Sequence, residues 1–98
     1  MEVIIKIAVV GTGYVGLSNS ILLAQKNEVI AVDIDEERVN LINNGHVTVE
    51  DSEMSFYLRN KSLNLTATLD KKVAFLGAKY IVIATPTDYD PSAHYFDA

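Results

Sequence analysis

The feature that most constrains this chain is its opening. An apolar run from Val3 to Val10, broken only by Lys6, leads straight into Gly11-Thr12-Gly13-Tyr14-Val15-Gly16. A second apolar run, Glu28 to Val32, then ends at Asp33. Strand, glycine turn, helix, strand and acid is the layout of a dinucleotide-binding βαβ unit, and each part has a physical job. Gly11 lets the chain turn sharply out of a strand, at dihedrals a side chain resists. Gly13 leaves no Cβ between backbone and pyrophosphate, and Gly16 lets the helix lie close to the sheet. The helix N-terminus offers unpaired N–H groups and a partial positive charge to phosphates. Asp33 is placed to accept the hydroxyls of an adenine ribose. An acid there also favours NAD over NADP, because a carboxylate repels a 2′-phosphate. Arg38 is the one nearby cation that would offset this, and its helical position reads as a solvated surface residue.

Periodicity extends the pattern along the chain. Tyr14–Gln25 reads as a helix with Leu17, Ile21 and Ala24 on one face and Leu22 widening it. Val29–Val32 is nearly all apolar, as in a parallel strand buried on both faces. Asp35 can cap a helix over Glu36–Asn43, with Val39 and Ile42 inward and Gly45 as the stop. His46 to Glu50 is the least readable stretch. A short helix follows from Asp51 or Ser52 to Asn60, with Met54, Tyr57 and Leu58 on one face. Leu63, Leu65, Ala67 and Leu69 alternate with polar residues, which predicts a third strand near a sheet edge. Asp70 can cap a helix over Lys71–Leu76, closed by Gly77. Tyr80–Ala84 is a fourth strand, predicted buried from its composition, and Pro86 cannot continue its ladder. The tail from residue 87 to 98 reads as loop.

Right-handed connections then give an α/β fold, a Rossmann-type parallel sheet of about four strands in the order 3-2-1-4 with flanking helices. A complete dinucleotide fold has six strands. Residues 1–98 therefore read as the N-terminal part of such a domain, without its later segments. The Tyr80–Ala84 strand would then lack its outer neighbour and present an apolar edge, which predicts a homo-oligomer formed near it.

Composition removes other classes. With no cysteine, the chain has no disulfide framework, thiolate metal site or cysteine nucleophile. No metal-ligand spacing is present, and His46 and His94 lie in predicted loops. The net charge of −5, with Lys and Arg scattered, argues against a nucleic-acid partner. Apolar runs of strand length and the absence of a basic leader before a long apolar stretch predict neither membrane span nor secretory signal, which points to the cytoplasm. The sequons at Asn60 and Asn64 are then chance matches. A methyltransferase, which also follows its first strand with glycines, would carry an acid just before Gly11, where Val9-Val10 stand.

Taken together, Gly-Thr-Gly-Tyr-Val-Gly-Leu at 11–17, Asp33, Leu-Thr-Ala-Thr at 65–68 and Ala-Thr-Pro-Thr at 84–87 resemble the N-terminus of the UDP-glucose 6-dehydrogenase family. Tyr95-Phe96-Asp97 resembles the approach to that family's next helix. Related UDP- and GDP-sugar dehydrogenases share much of this pattern. The resemblance implies NAD as cofactor and, in a full-length enzyme, two-step oxidation of a UDP-hexose to a carboxylate. It implies that Gly11, Gly13, Tyr14, Val15 and Gly16 cradle the pyrophosphate and Asp33 the ribose. Thr85 and Thr87 would lie beside the cofactor. Tyr14 contributes either an aromatic lid or only its backbone. The family's thioester-forming cysteine and its lysine lie in later segments, so this chain carries no catalytic residue and is expected to be inactive alone. A non-catalytic nucleotide-binding or assembly module derived from such an enzyme is the alternative. The chain departs at Val47-Thr48-Val49, where relatives carry a Ser-Pro-Ile-like stretch. Thr48 replaces a residue that would fix φ, and a looser or differently placed loop is expected.

Overall fold

The computed structural model describes residues 4–60 and 63–84. Four strands, β1 (Lys6–Val10), β2 (Glu28–Val32), β3 (Leu65–Thr68) and β4 (Tyr80–Ile83), form one parallel sheet in the order β3-β2-β1-β4. Four helices connect them: α1 (Tyr14–Ala24), α2 (Glu36–Asn43), α3 (Ser52–Asn60) and α4 (Lys71–Phe75). This is the expected α/β Rossmann-type order. The first and third strands are shorter than read from sequence, starting at Lys6 and ending at Thr68.

Alternation along the strands divides the core between the two faces. Ala31 and Ala67 meet Leu17 and Ile21 of α1, Val39 and Ile42 of α2, and Met54 of α3. On the other face Ala8, Ile30 and Val32 meet Ala74 of α4. Burying side chains such as Leu17 or Val9 contributes about 1.5–3 kcal/mol each. The first face carries three helices, the second only the short α4 among the described residues.

Three expectations are corrected by the packing. Leu22 does not widen the buried face of α1; it is 67% exposed, because Gly16, Leu17, Ser20, Ile21 and Ala24 make the contact instead. β4 is apolar but not buried: Tyr80, Ile81 and Ile83 are all exposed. β4 is the sheet's outer strand, and α4 is too short to cover it. Leu69, read as the last inward residue of β3, is likewise exposed beyond the strand end.

Local signals fix the helix ends. Asp35 Oδ1 accepts from the Glu37 and Arg38 N–H groups, and Asp70 Oδ1 from that of Lys72. Gly45 and Gly77 take positive φ of 80° and 77° just past α2 and α4. Lys6, the polar break in the first apolar run, reaches the C-terminal end of α4. Its ammonium donates to the carbonyls of Val73 and Leu76, both at 2.7 Å. Asn43 reaches from α2 to β3, donating to the Ala67 carbonyl at 2.9 Å and accepting from the Ala67 N–H at 2.8 Å. No helix among the described residues is long and apolar enough to cross a membrane.

Candidate functional site

The first strand-to-helix turn sits at the carboxyl end of β1, between β2 and β4, where the strand order reverses. Gly11 has φ of 101°, and its N–H donates to the Val32 carbonyl at 2.8 Å. A Cβ at Gly11 would collide with the Ala84 carbonyl oxygen of the strand alongside. One at Gly16 would collide with the Gly11 carbonyl, its carbon only 2.7 Å away. These two glycines are therefore demanded by backbone approach within the fold itself. Gly13 differs, because a Cβ there would meet nothing within 4 Å. Gly13 is also the N-cap of α1, and no side chain caps that helix or puts a negative charge in its first turn. The backbone thus ends in a bare, partly positive helix start facing open space.

Asp33 follows β2 and is buried, with 9% of its surface exposed. Its Oδ2 accepts from the Thr12 N–H at 3.0 Å and the Thr12 hydroxyl at 2.5 Å, and its Oδ1 from the Asp35 N–H at 3.0 Å. The Arg38 guanidinium lies 3.7 Å from Oδ2 and 3.8 Å from Asp35. Burial pushes the Asp33 carboxyl up. The Thr12 hydroxyl, the Asp35 and Thr12 N–H groups and Arg38 together outweigh it and hold the group below its ordinary 3.8. The site therefore carries a full negative charge at neutral pH. Arg38 is accordingly no detached surface residue: its side chain, 44% exposed, reaches back to both carboxylates.

Sequence reasoning missed two contributors. Thr12, between the glycines, is fully buried and ties the turn to Asp33. Thr48, on the loop expected to be looser or differently placed, ties that loop to the turn, its hydroxyl donating to the Thr12 carbonyl. Neither contact has a local signal, since the partners are 21 and 36 positions apart. Tyr14 is more than half exposed and lines a groove between α1 and α3 together with Ser18, Met54 and Tyr57. Thr85 and Thr87, with Asp88, Asp90 and His94, lie outside the described residues. His46 is exposed. Among the described residues no group of His, Cys, Asp and Glu could hold a metal ion.

These features suit a dinucleotide: open backbone donors for a pyrophosphate and, nearby, a charged acceptor for sugar hydroxyls. Comparison with known proteins agrees. Residues 5–96 match the NAD-binding domain of the UDP-glucose/GDP-mannose dehydrogenase family. The chain is 45% identical over 92 residues to UDP-glucose 6-dehydrogenase of Streptococcus pneumoniae, covering 94% of this chain and 23% of that protein. It is 45% identical over 95 residues to that of Campylobacter jejuni, covering 94% and 24%. The chain thus spans about a quarter of the length of these relatives. In structure it is similar to a GDP-mannose dehydrogenase from Pseudomonas aeruginosa solved as a ternary complex, with a TM-score of 0.79 and 27% identity over 90% of this chain and 21% of that one. A UDP-glucose dehydrogenase from Pyrobaculum islandicum shares the fold, with a TM-score of 0.80 and 20% identity over 92% of this chain and 22% of that one. A glycine turn, a buried acid and a 3-2-1-4 sheet thus coincide with a match to the family's NAD-binding domain along nearly the whole sequence: the chain belongs to the UDP-glucose/GDP-mannose dehydrogenase family.

Proposed function

We propose that this chain binds the adenosine and pyrophosphate half of NAD and does not by itself oxidise a sugar. The observation that carries this reading is the uncapped start of α1, open above Gly13 and next to the Asp33 carboxylate. The N–H groups of Gly13, Tyr14, Val15 and Gly16 face the pyrophosphate, and the α1 dipole favours its charge. Gly11 and Gly16 act by letting the turn close on β4 and on itself. Tyr14 acts through its backbone N–H at the start of α1. Thr85 and Thr87, which follow β4 in sequence, contact the cofactor as the family resemblance implies.

Asp33 accepts from the ribose. A carboxylate has about four acceptor positions, and Thr12 and Asp35 use three. One ribose hydroxyl takes the remaining position, and the second exchanges with the Thr12 hydroxyl. The same charge disfavours the 2′-phosphate of NADP, and Arg38 is already shared between two carboxylates. Sugar oxidation belongs to a full-length enzyme of this family, because this chain has no cysteine to form the thioester. UDP-sugar is a partner only there.

Calorimetric titration with NAD, NADP, UDP-glucose and S-adenosylmethionine tests the reading. Weak binding of NAD and weaker or no binding of the others is the expected result. No NAD binding, or tighter binding of S-adenosylmethionine, defeats it. The exposed apolar residues of β4 further support self-association at that edge; a cytoplasmic setting without nucleic acid or membrane as partner is proposed from the sequence alone. A monomer by light scattering at high concentration would count against it.

A further inference from the structure

Every polar group of Thr12 is committed. Its N–H and hydroxyl donate to Asp33 Oδ2, and its carbonyl accepts from the Thr48 hydroxyl. The next peptide is trans and planar, so the Thr12 C=O and the Gly13 N–H point in opposite directions. Whatever holds that carbonyl therefore sets the direction of that N–H. Left alone, the peptide would be easy to turn, because Gly13 has no Cβ to restrict it. The Gly13 N–H itself makes no hydrogen bond among the described residues. A proline, the residue that Thr48 replaces in the family resemblance, has no donor to offer here.

We propose that Thr48 is a positioning residue: its hydroxyl locks the Thr12–Gly13 peptide so that the Gly13 N–H points away from Thr48 and toward the cofactor pyrophosphate. This rests on the reading that NAD occupies the turn. A plain tether between two loops would add stability without directing any donor, and that difference can be measured.

Residual dipolar couplings of the ligand-free chain report the direction of the Gly13 N–H relative to α1. In Thr48→Val the Gly13 coupling changes while those of Ser18 to Leu23 are retained, and Thr48→Ser restores it. In NMR titrations Thr48→Val weakens ADP about tenfold but leaves adenosine, which has no phosphate, within about twofold. Thr48→Ser recovers ADP binding. An unchanged Gly13 coupling in Thr48→Val, or equal losses for ADP and adenosine, overturns the assignment. If the parent chain binds neither ADP nor NAD, the cofactor reading fails instead, and the couplings still decide the role of Thr48. Should the valine variant not fold, Thr48→Ala is put through the same measurements.

Discussion

Three turns leave the same edge of this sheet and enter helices, and they are built in two ways. After β2 and β3 the chain closes the helix with its own carboxylate, Asp35 on α2 and Asp70 on α4. After β1 it places Gly13 there and caps nothing. A side-chain cap contributes about 1 kcal/mol, and α1 goes without it. The acid that might have supplied a negative charge, Asp33, is instead turned sideways to hold Thr12 in the middle of the glycine turn. The difference separates helix starts completed from within from one left for a charge from outside.

That contrast can be broken at three places, in decreasing order of effect. Gly16→Ala drives a Cβ into the Gly11 backbone, which has no flexible end to yield. A loss of about 3 kcal/mol or more is expected, seen as a drop of roughly 12 °C or more in Tm for a domain of this size. Gly13→Asp converts the first turn into the second kind. Its Cβ meets no atom, so stability rises by a few tenths of a kcal/mol. NAD affinity falls at least about thirtyfold, because the new carboxylate takes the donors and repels the pyrophosphate. Calorimetry beside thermal melting reads both changes, and a parallel loss of both would remove the distinction between the turns. Asp70→Ala is the control in the other direction. It costs about 1 kcal/mol in urea denaturation and leaves the NAD dissociation constant unchanged.

How much of this was legible in the sequence depends on the range of each interaction. Asp35, Asp70, Gly45 and Gly77 act within one turn of where they stand, and they mark α2 and α4 to within a residue. Gly11, Gly13, Gly16 and Asp33 were legible because their spacing encodes a turn and the end of the next strand. Leu22 and β4 were misjudged because burial depends on what packs alongside, which apolar composition does not record. Arg38 looked like a surface residue because no local rule says that it folds back on Asp33. Thr48 was invisible as a contributor: its partner lies across α2 and the whole of β2, where no periodicity reaches. The resemblance even argued for a looser loop there, since it compared backbone stiffness and not hydrogen-bond donors.

The two bonds from Asn43 to Ala67 have a consequence for assembly. A primary amide offers one donor and one acceptor side by side, as a residue of a neighbouring strand does. α2 thereby occupies the outward-facing N–H and C=O of Ala67 in β3 with a counterfeit strand one residue long. Among the described residues the two edges of the sheet consequently differ. Among the described residues no strand lies beyond β4, so two copies joined through their β4 edges, as proposed, would each use up that edge of the other. Under that proposal, polymerisation along the sheet would terminate at a pair. Asn43→Ala reopens the far end, and light scattering should then rise with concentration past the mass of two chains.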